Sequence, residues 1–209
     1  MGRIEYIVDG GAVGIGIEST IVDVTGEVPT ILRPGFITKN MLEQIVGQVT
    51  VDPALEKPME GFRPKAPGMK YTHYAPKGEM TLVERSDMDG GVQKNLQAAE
   101  DAGVLKKIQQ PVIDKICALA AEKRAAGFRV GIMASRETVS CYTDFADTVI
   151  CVGDRKESST VAAGLYKALR DFDAAGVDYI YAESFRGEEL SYAIMNRLLK
   201  AAGQRVIRV

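Results

Sequence analysis

A serine and an arginine lie at the two ends of a segment that the sequence predicts to be a β-hairpin. The segment reads GIESTIVDVTGEVPTILRPG over residues 16–35, with Ser19 near its start and Arg33 near its end. With the turn centred on Gly26, positions that sum to about 52 face each other, so Ser19 lies opposite Arg33 with Cβ atoms about 5 Å apart. A hydroxyl beside a guanidinium suits a phosphate or a carboxylate. A solvated arginine at the end of a surface strand is the alternative.

A second group of side chains that could bind a ligand or take part in catalysis lies in the block KYTHYAP, residues 70–76. Its cation, imidazole and phenols are Lys70, His73, Tyr71 and Tyr74. In a chain stiffened by proline, such a strip could close over an anionic nucleotide and supply charge and stacking surface while excluding water. A plain proline-rich tether is the alternative.

Other candidate sites have simpler explanations. The glycines between residues 10 and 16 precede a strand and match neither the dinucleotide nor the Walker pattern, so they are interpreted as turn residues. The turns at Ser135–Glu137 and Ser184–Gly187 follow predicted strands, where a parallel sheet offers a crevice and a helix N-terminus can bind an anion. Loops with ordinary helix caps are the alternative.

Composition excludes several functional classes. The chain has one histidine and three cysteines, none of them in a C-x-x-C pair, so no metal site or disulfide framework is expected. A net charge of −2 supplies no general attraction to nucleic acid or to anionic membranes. No apolar run reaches the roughly 20 residues that span a bilayer. A cytoplasmic protein without membrane contact is expected.

Short β segments and one helix make up the region from residue 1 to 56. Strands are predicted at Ile4–Val8, Ser19–Val24 and Val28–Arg33, followed by a helix from Lys39 to Val46. Thr38 is its candidate N-cap and Gly47 its stop. So few elements cannot bury enough surface to be stable alone, so residues 1–56 are interpreted as the remnant of a larger domain. Its exposed strands are expected to pair between copies, giving a homodimer, or to be poorly ordered.

The rest of the chain divides into a linker and an α/β domain. Residues 57–78 contain four prolines and more bases than acids, which is typical of a semi-rigid basic linker. Residues 79–209 alternate strands and helices, which indicates a parallel sheet covered by helices. The predicted strands are Met80–Glu84, Phe128–Ala134, Thr148–Val152, Val177–Ala182 and Arg205–Val209, and the predicted helices are Pro111–Ala126, Ser158–Ala175 and Glu188–Ala202. Gly127, Gly176 and Gly203 are the expected left-handed helix ends.

Three sequence blocks in order carry a resemblance to a known family. They read STIVD from Ser19, LRPG around Arg33, and PGMKYTHYAP over residues 67–76. Together with VGDR at 152–155 and LSYAIMNRLLKAA at 190–202, they resemble the two-domain threonylcarbamoyl-AMP synthases. The resemblance implies the fold class α/β: the tail of a YrdC-like catalytic domain, a linker, and a Rossmann-like accessory domain.

The resemblance also implies a reaction and roles for individual residues. Members of the family join L-threonine, bicarbonate and ATP into threonylcarbamoyl-AMP and pyrophosphate, for the threonylcarbamoyladenosine of tRNA. A tRNA threonylcarbamoyl transferase acts downstream. By motif, Ser19 would contact threonine and Arg33 would contact ATP. Lys70, Tyr71, His73 and Tyr74 would form a lid over the site.

One departure from the family pattern limits what this chain is expected to do. The Lys-x-Arg and Ser-x-Asn pairs that grip the triphosphate and Mg²⁺ in the family are absent from the 209 residues. No catalytic residue, metal or cofactor is therefore assigned to this chain, and ATP and Mg²⁺ belong to the parent enzyme. The chain alone is expected to be inactive. The alternative is a regulatory or binding Rossmann-like module that contacts tRNA or a partner in tRNA modification.

Overall fold

A computed structural model describes residues 4–11, 13–55, 65–66, 74–86, 102–187 and 190–209. It is an α/β structure with two sheets, a small one of three strands and a parallel one of five. Within the described ranges, none of the helices combines the length and hydrophobicity needed to cross a bilayer.

The small sheet contains the predicted hairpin, with a register that differs from the prediction. Strand β1 is Ile21–Asp23, and β2 is Thr30–Arg33, antiparallel to it. Arg33 pairs with Ile21 and not with Ser19, and the register shifts after that pair. The expectation that Ser19 and Arg33 are cross-strand partners is therefore wrong. An irregularity in the ladder adds a residue on one side, which a pattern centred on Gly26 cannot reveal.

The prediction of the small helix is confirmed, whereas the prediction of a strand near the N-terminus is wrong. Helix α1 spans Lys39–Val46 as predicted, the Thr38 hydroxyl accepts a hydrogen bond from the Met41 amide at 3.3 Å, and Gly47 follows at a φ of 78°. The strand predicted at Ile4–Val8 is wrong, because its residues are irregular and exposed. A β segment needs a neighbour to hydrogen-bond with, and in the described residues this segment pairs with none.

A strand that the sequence reading missed completes the small sheet. Strand β3 is Thr50–Val51 and runs parallel to β2, with Thr30 paired to Thr50. The hydroxyls of these two threonines lie 2.8 Å apart. Two residues are too few for a detectable alternation of polar and apolar side chains.

The large sheet confirms the predicted parallel α/β fold. Its five strands are β4 Glu79–Glu84, β5 Val130–Ser135, β6 Thr148–Gly153, β7 Tyr179–Glu183 and β8 Val206–Arg208. Their order in the sheet is β6-β5-β7-β4-β8, and each neighbouring pair is parallel. Each lies within two residues of its predicted bounds, because buried apolar runs bounded by turn residues mark parallel strands well.

The first long helix begins earlier than predicted. Helix α2 spans Ala102–Ala125, so Pro111, the predicted first residue, lies inside the helix. Leu105 and Gln109 before the proline and Val112 and Ile116 after it are all buried. This continuous buried face at helical spacing stabilises the helix across the proline, despite the lost backbone hydrogen bond.

Two more helices cover the opposite face of the sheet. Helix α3 is Ser158–Ala175, with the predicted bounds, and α4 is Ser191–Ala201. Both pack in one apolar cluster that includes Leu165, Phe172 and Ile194, whereas the buried face of α2 belongs to a second cluster with Val130 and Ile132. The sheet is therefore a middle layer between helices, and α3 and α4 face the hairpin.

Candidate functional site

Ser19 and Arg33 lie together, although they are not cross-strand partners. The Arg33 side chain reaches back from the end of β2, so that Nη2 donates to the Ser19 hydroxyl at 3.1 Å and Nε donates to the Ser19 carbonyl at 3.0 Å. Ser19 is exposed and Arg33 is half-buried. The pair thus presents a hydroxyl and a guanidinium at the open end of the hairpin, where an anionic or polar small molecule can reach both.

Residues of the two C-terminal helices contact Glu18 and Pro34, the neighbours of this pair in the chain. Glu18 accepts hydrogen bonds from the Tyr166 hydroxyl on α3 at 2.6 Å and from Arg197 Nε on α4 at 2.8 Å. Arg197 Nη1 also donates to the Pro34 carbonyl at 2.5 Å. Burial acts to raise the pKa of Glu18, but the Tyr166 hydrogen bond and the Arg197 guanidinium together lower it to about 2.

The Glu18 contact should be visible as an acid dependence of stability. A carboxylate whose pKa is lowered by folding from 4.5 to about 2 stabilises the native state above pH 4.5, and this contribution is lost as pH falls toward 2. We expect the urea midpoint of the chain to fall more steeply over this window than that of a Glu18→Gln variant, measured by circular dichroism. Equal slopes for the two proteins would contradict the contact.

The environment of the pair is cationic. Lys200 lies one helical turn after Arg197 on α4. Its pKa falls to about 8, first because of burial and then because of the nearby positive charges of Arg197 and Arg33. Of the described carboxylates, Glu18 is the one engaged here, and Arg197 and Tyr166 already bind it. This donor set suits an anion and does not suit Mg²⁺, which prefers several free oxygen ligands.

Of the predicted lid residues, Tyr74 can be placed. Its ring centroid lies 4.5 Å from that of Tyr166, and its backbone carbonyl accepts a hydrogen bond from Arg170 at 2.9 Å. The Tyr166 side chain therefore lies between Tyr74 and Glu18 and contacts both. Lys70, Tyr71 and His73 lie outside the described residues.

The linker also contacts the hairpin at a point before this block. Ala66 is buried against Leu32 and Ile21, and Lys65 Nζ lies 3.5 Å from an Asp23 carboxylate oxygen. The described linker residues thus contact the hairpin before the predicted lid block and α3 at its end.

A cavity of about 350 Å³ lies close to the open end of the hairpin. It lies between the start of α1 and the start of α4, and it includes Pro34 and Gly35, the residues that follow Arg33. Tyr192 and Ala193 contribute its wall from α4. Its volume is within the range of small-molecule sites. The cavity is therefore formed jointly by β2 and the residues after it, α1 and α4, and neither Ser19 nor Arg33 lines it.

The carboxyl ends of the large sheet contain a buried ionic network. Arg155 Nη2 lies 2.8 Å from a Glu183 carboxylate oxygen, and Tyr142 and the Ser135 amide donate to the same carboxylate at 2.8 and 3.2 Å. Burial and Glu183 raise the pKa of Tyr142. Near the second predicted turn, Arg186 pairs with Glu84 at 2.7 Å. Both turns thus contribute to structural ion pairs.

The sequence reading missed Glu18, Tyr166, Arg197 and Lys200. One signal was available for Arg197, because its spacing places it on the same helical face as Ile194, Leu198 and Ala201. A buried arginine on an apolar face requires a partner, so its position predicted an ion pair. The identity of the partner, 179 positions earlier in the chain, could not be read from spacing.

Comparison with known proteins adds a family match. The family model described as threonylcarbamoyl-AMP synthase, C-terminal domain, matches residues 37–203. A Bacillus subtilis protein named threonylcarbamoyl-AMP synthase is 42% identical over 207 residues, which are 99% of this chain and 51% of that protein. A Pyrococcus abyssi protein of the same name is 38% identical over 208 residues, which are 100% of this chain and 52% of that protein.

Solved structures give the same result. The crystal structure of Pyrococcus abyssi Sua5 complexed with L-threonine is 36% identical with a TM-score of 0.77, and the match covers 100% of this chain and 52% of that one. A variant of that protein, with a histidine and a tyrosine replaced by alanine, is 35% identical at the same TM-score, covering 100% and 51%. The chain spans about half the length of the curated relatives it matches.

Proposed function

Because the chain belongs to the threonylcarbamoyl-AMP synthase family, through its C-terminal domain, we propose that it forms the C-terminal half of an L-threonylcarbamoyladenylate synthase. In this role it contributes to the joining of L-threonine, bicarbonate and ATP into threonylcarbamoyl-AMP and pyrophosphate. The product would supply a tRNA threonylcarbamoyl transferase.

The observation that carries this proposal is the contact between Arg33 and Ser19. The Ser19 hydroxyl, exposed at the end of the hairpin, would hydrogen-bond L-threonine, and the Arg33 guanidinium would bind ATP. The L-threonine complex of the Pyrococcus abyssi relative supports a threonine site in this family. The cationic field of Arg197 and Lys200 favours a negatively charged substrate beside the pair.

The linker would act as a lid over this site. Tyr74 contacts Tyr166, whose hydroxyl donates to Glu18, the residue before Ser19. The Pyrococcus abyssi variant replaces a histidine and the tyrosine that follows it, and in this chain the single histidine, His73, is followed by Tyr74. Closure of such a segment over the substrates excludes water and orients the reacting groups.

The proposed division of labour follows the expected domains. Residues 1–56 would be part of the catalytic domain, 57–78 the linker and lid, and 79–209 the accessory domain. The groups that grip the triphosphate and Mg²⁺ would come from a further segment, since the sequence has neither a Lys-x-Arg nor a Ser-x-Asn pair. No step involving Mg²⁺ is assigned to the described residues.

A chimera tests this function. The N-terminal half of the Bacillus subtilis relative, joined before this chain, should release pyrophosphate from ATP in a reaction that requires both L-threonine and bicarbonate. The chain alone should not. In the chimera, Arg33→Ala should lower the rate by about 10-fold or more, since a hydrogen bond to a charged group contributes about 1.5–3 kcal/mol.

The control is Lys167→Met, which removes a solvent-exposed ion pair on α3 and should leave the rate unchanged. An active chimera that is indifferent to Arg33→Ala would contradict the assigned site. Tight binding of ATP by the chain alone, measured by isothermal titration calorimetry, would favour an independent binding module over the synthase half.

A further inference from the structure

Arg197 lies on the buried face of α4, where an arginine is rare unless it is paired. Its side chain is 5% exposed, on the face of α4 that packs Ile194, Leu198 and Ala201 into the core. Withdrawing a guanidinium from water is costly unless its donors find good partners. The groups to which Arg197 donates therefore indicate which part of the molecule this helix holds in place.

Those partners lie immediately next to the Ser19 and Arg33 pair. Arg197 Nε donates to the carboxylate of Glu18, which precedes Ser19, and Nη1 donates to the carbonyl of Pro34, which follows Arg33. One rigid guanidinium thus binds the two chain segments that carry the pair. Because the donors are fixed in a plane, the separation of the two segments is fixed as well.

The surrounding packing leaves these segments little freedom to adjust. A Cβ added to Gly35 would lie 2.4 Å from the Thr20 amide nitrogen, so the turn after Pro34 is in contact with the backbone beside Ser19. A Cβ added to Gly16 would lie 2.3 Å from Ala163 Cα on α3. The stretch from residue 16 to 20 is therefore held between the turn and the C-terminal helices.

We propose that Arg197 is a positioning residue for the substrate-binding pair. From its place in the accessory domain, it sets the distance between the Ser19 hydroxyl and the Arg33 guanidinium. This inference rests on the proposed function, and it gives that domain a role in substrate affinity. It acts through Glu18 and Pro34, and it requires no contact between Arg197 and the substrate.

A pH profile offers a signature that loss of structure alone would not produce. Glu18 faces Tyr166 from α3 and both Arg197 and Lys200 from α4. Without Arg197, burial remains and the strongest counter-charge is gone, so the pKa of Glu18 rises. Threonine affinity in an Arg197→Met variant should then weaken on acidification at pH values where the parent shows no dependence.

The experiment compares Arg197→Met, Arg197→Lys and Arg124→Met in the chimera. Arg124 is the control for the types of contact, because it also donates to a carbonyl, that of Asp144, and pairs with a carboxylate, that of Asp147. It is more exposed than Arg197, and it lies on α2, away from the pair. Arg197→Met should lower kcat/KM for L-threonine by about 100-fold, the scale of an ångström-sized displacement. Arg197→Lys should recover part of this loss, and Arg124→Met should match the parent.

Hydrogen exchange on the 209-residue chain separates this inference from the proposed function. Arg197→Met should speed exchange of the amides in the β1–β2 ladder beside the pair and leave those of β5 and β7 protected, which also shows that the variant is folded. A chimera without activity would refute the function, and exchange would still decide the positioning. Parent-like exchange together with parent-like kcat/KM would overturn the role of Arg197.

Discussion

Replacing Arg155 with methionine should lower the free energy of unfolding of the chain by about 3–5 kcal/mol, the cost of removing one partner from a buried ion pair. Its side chain is 8% exposed, and the Glu183 carboxylate that it binds is fully buried. Tyr142 and the Ser135 amide would still donate to Glu183, but neither carries a charge. Urea unfolding followed by circular dichroism measures the loss.

Arg186→Met is the matched control for this prediction. It removes the same kind of pair from Glu84, but Glu84 keeps a second arginine, Arg208, at 3.0 Å. Arg186 is also partly exposed, so we expect a loss of under about 1 kcal/mol. Adding Glu183→Gln to Arg155→Met should restore much of the stability, because no uncompensated charge remains. Equal losses for Arg155→Met and Arg186→Met would refute this explanation.

Gly35→Ala should abolish most of the threonine-dependent activity of the chimera. The added Cβ would meet the Thr20 nitrogen at 2.4 Å, the Glu18 oxygen at 2.5 Å and the Ser19 carbonyl carbon at 2.6 Å. All three are backbone atoms that cannot rotate away, so the hairpin end must shift. We expect a fall in kcat/KM of about 100-fold, because substrate contacts are sensitive to displacements of about 1 Å. The chain itself should lose roughly 1–3 kcal/mol.

Gly26→Ala provides the comparison within the same hairpin. Its Cβ would find the Val28 oxygen at 3.9 Å, which is an ordinary contact. Pyrophosphate release by this variant should equal that of the parent chimera. Similar activities for the two glycine variants would show that the close backbone approach at Gly35 does not determine the positions of Ser19 and Arg33.

The parts of the fold that sequence predicted best are those determined by local interactions. Helices α1 and α3 begin and end where their caps and apolar spacing indicate, and Gly127, Gly176 and Gly203 all have positive φ values of 56–87°. Pro111 misled the prediction of α2, because burial of a long apolar face outweighed one lost hydrogen bond. Local rules fail where tertiary packing decides.

The predicted proximity of Ser19 and Arg33 is confirmed, although the strand register from which it was predicted is wrong. Arg33 faces Ile21 across the ladder, and the length of its side chain brings the guanidinium back to Ser19. The roles of Ser19, Arg33 and the lid residues stay predictions. The helical residues that complete the site, Arg197 above all, depend on how two distant regions pack, which no short-range pattern encodes.

The contact between Glu18 and Arg197 has a consequence for biosynthesis. The hairpin leaves the ribosome before α4 does, because the arginine that binds its open end is encoded 179 positions after Glu18. At about 5–20 residues per second, translation of the intervening chain takes on the order of ten seconds. During this interval Glu18 and Pro34 lack their contact with Arg197, so the open end of the hairpin is among the last parts of the chain to reach its final structure.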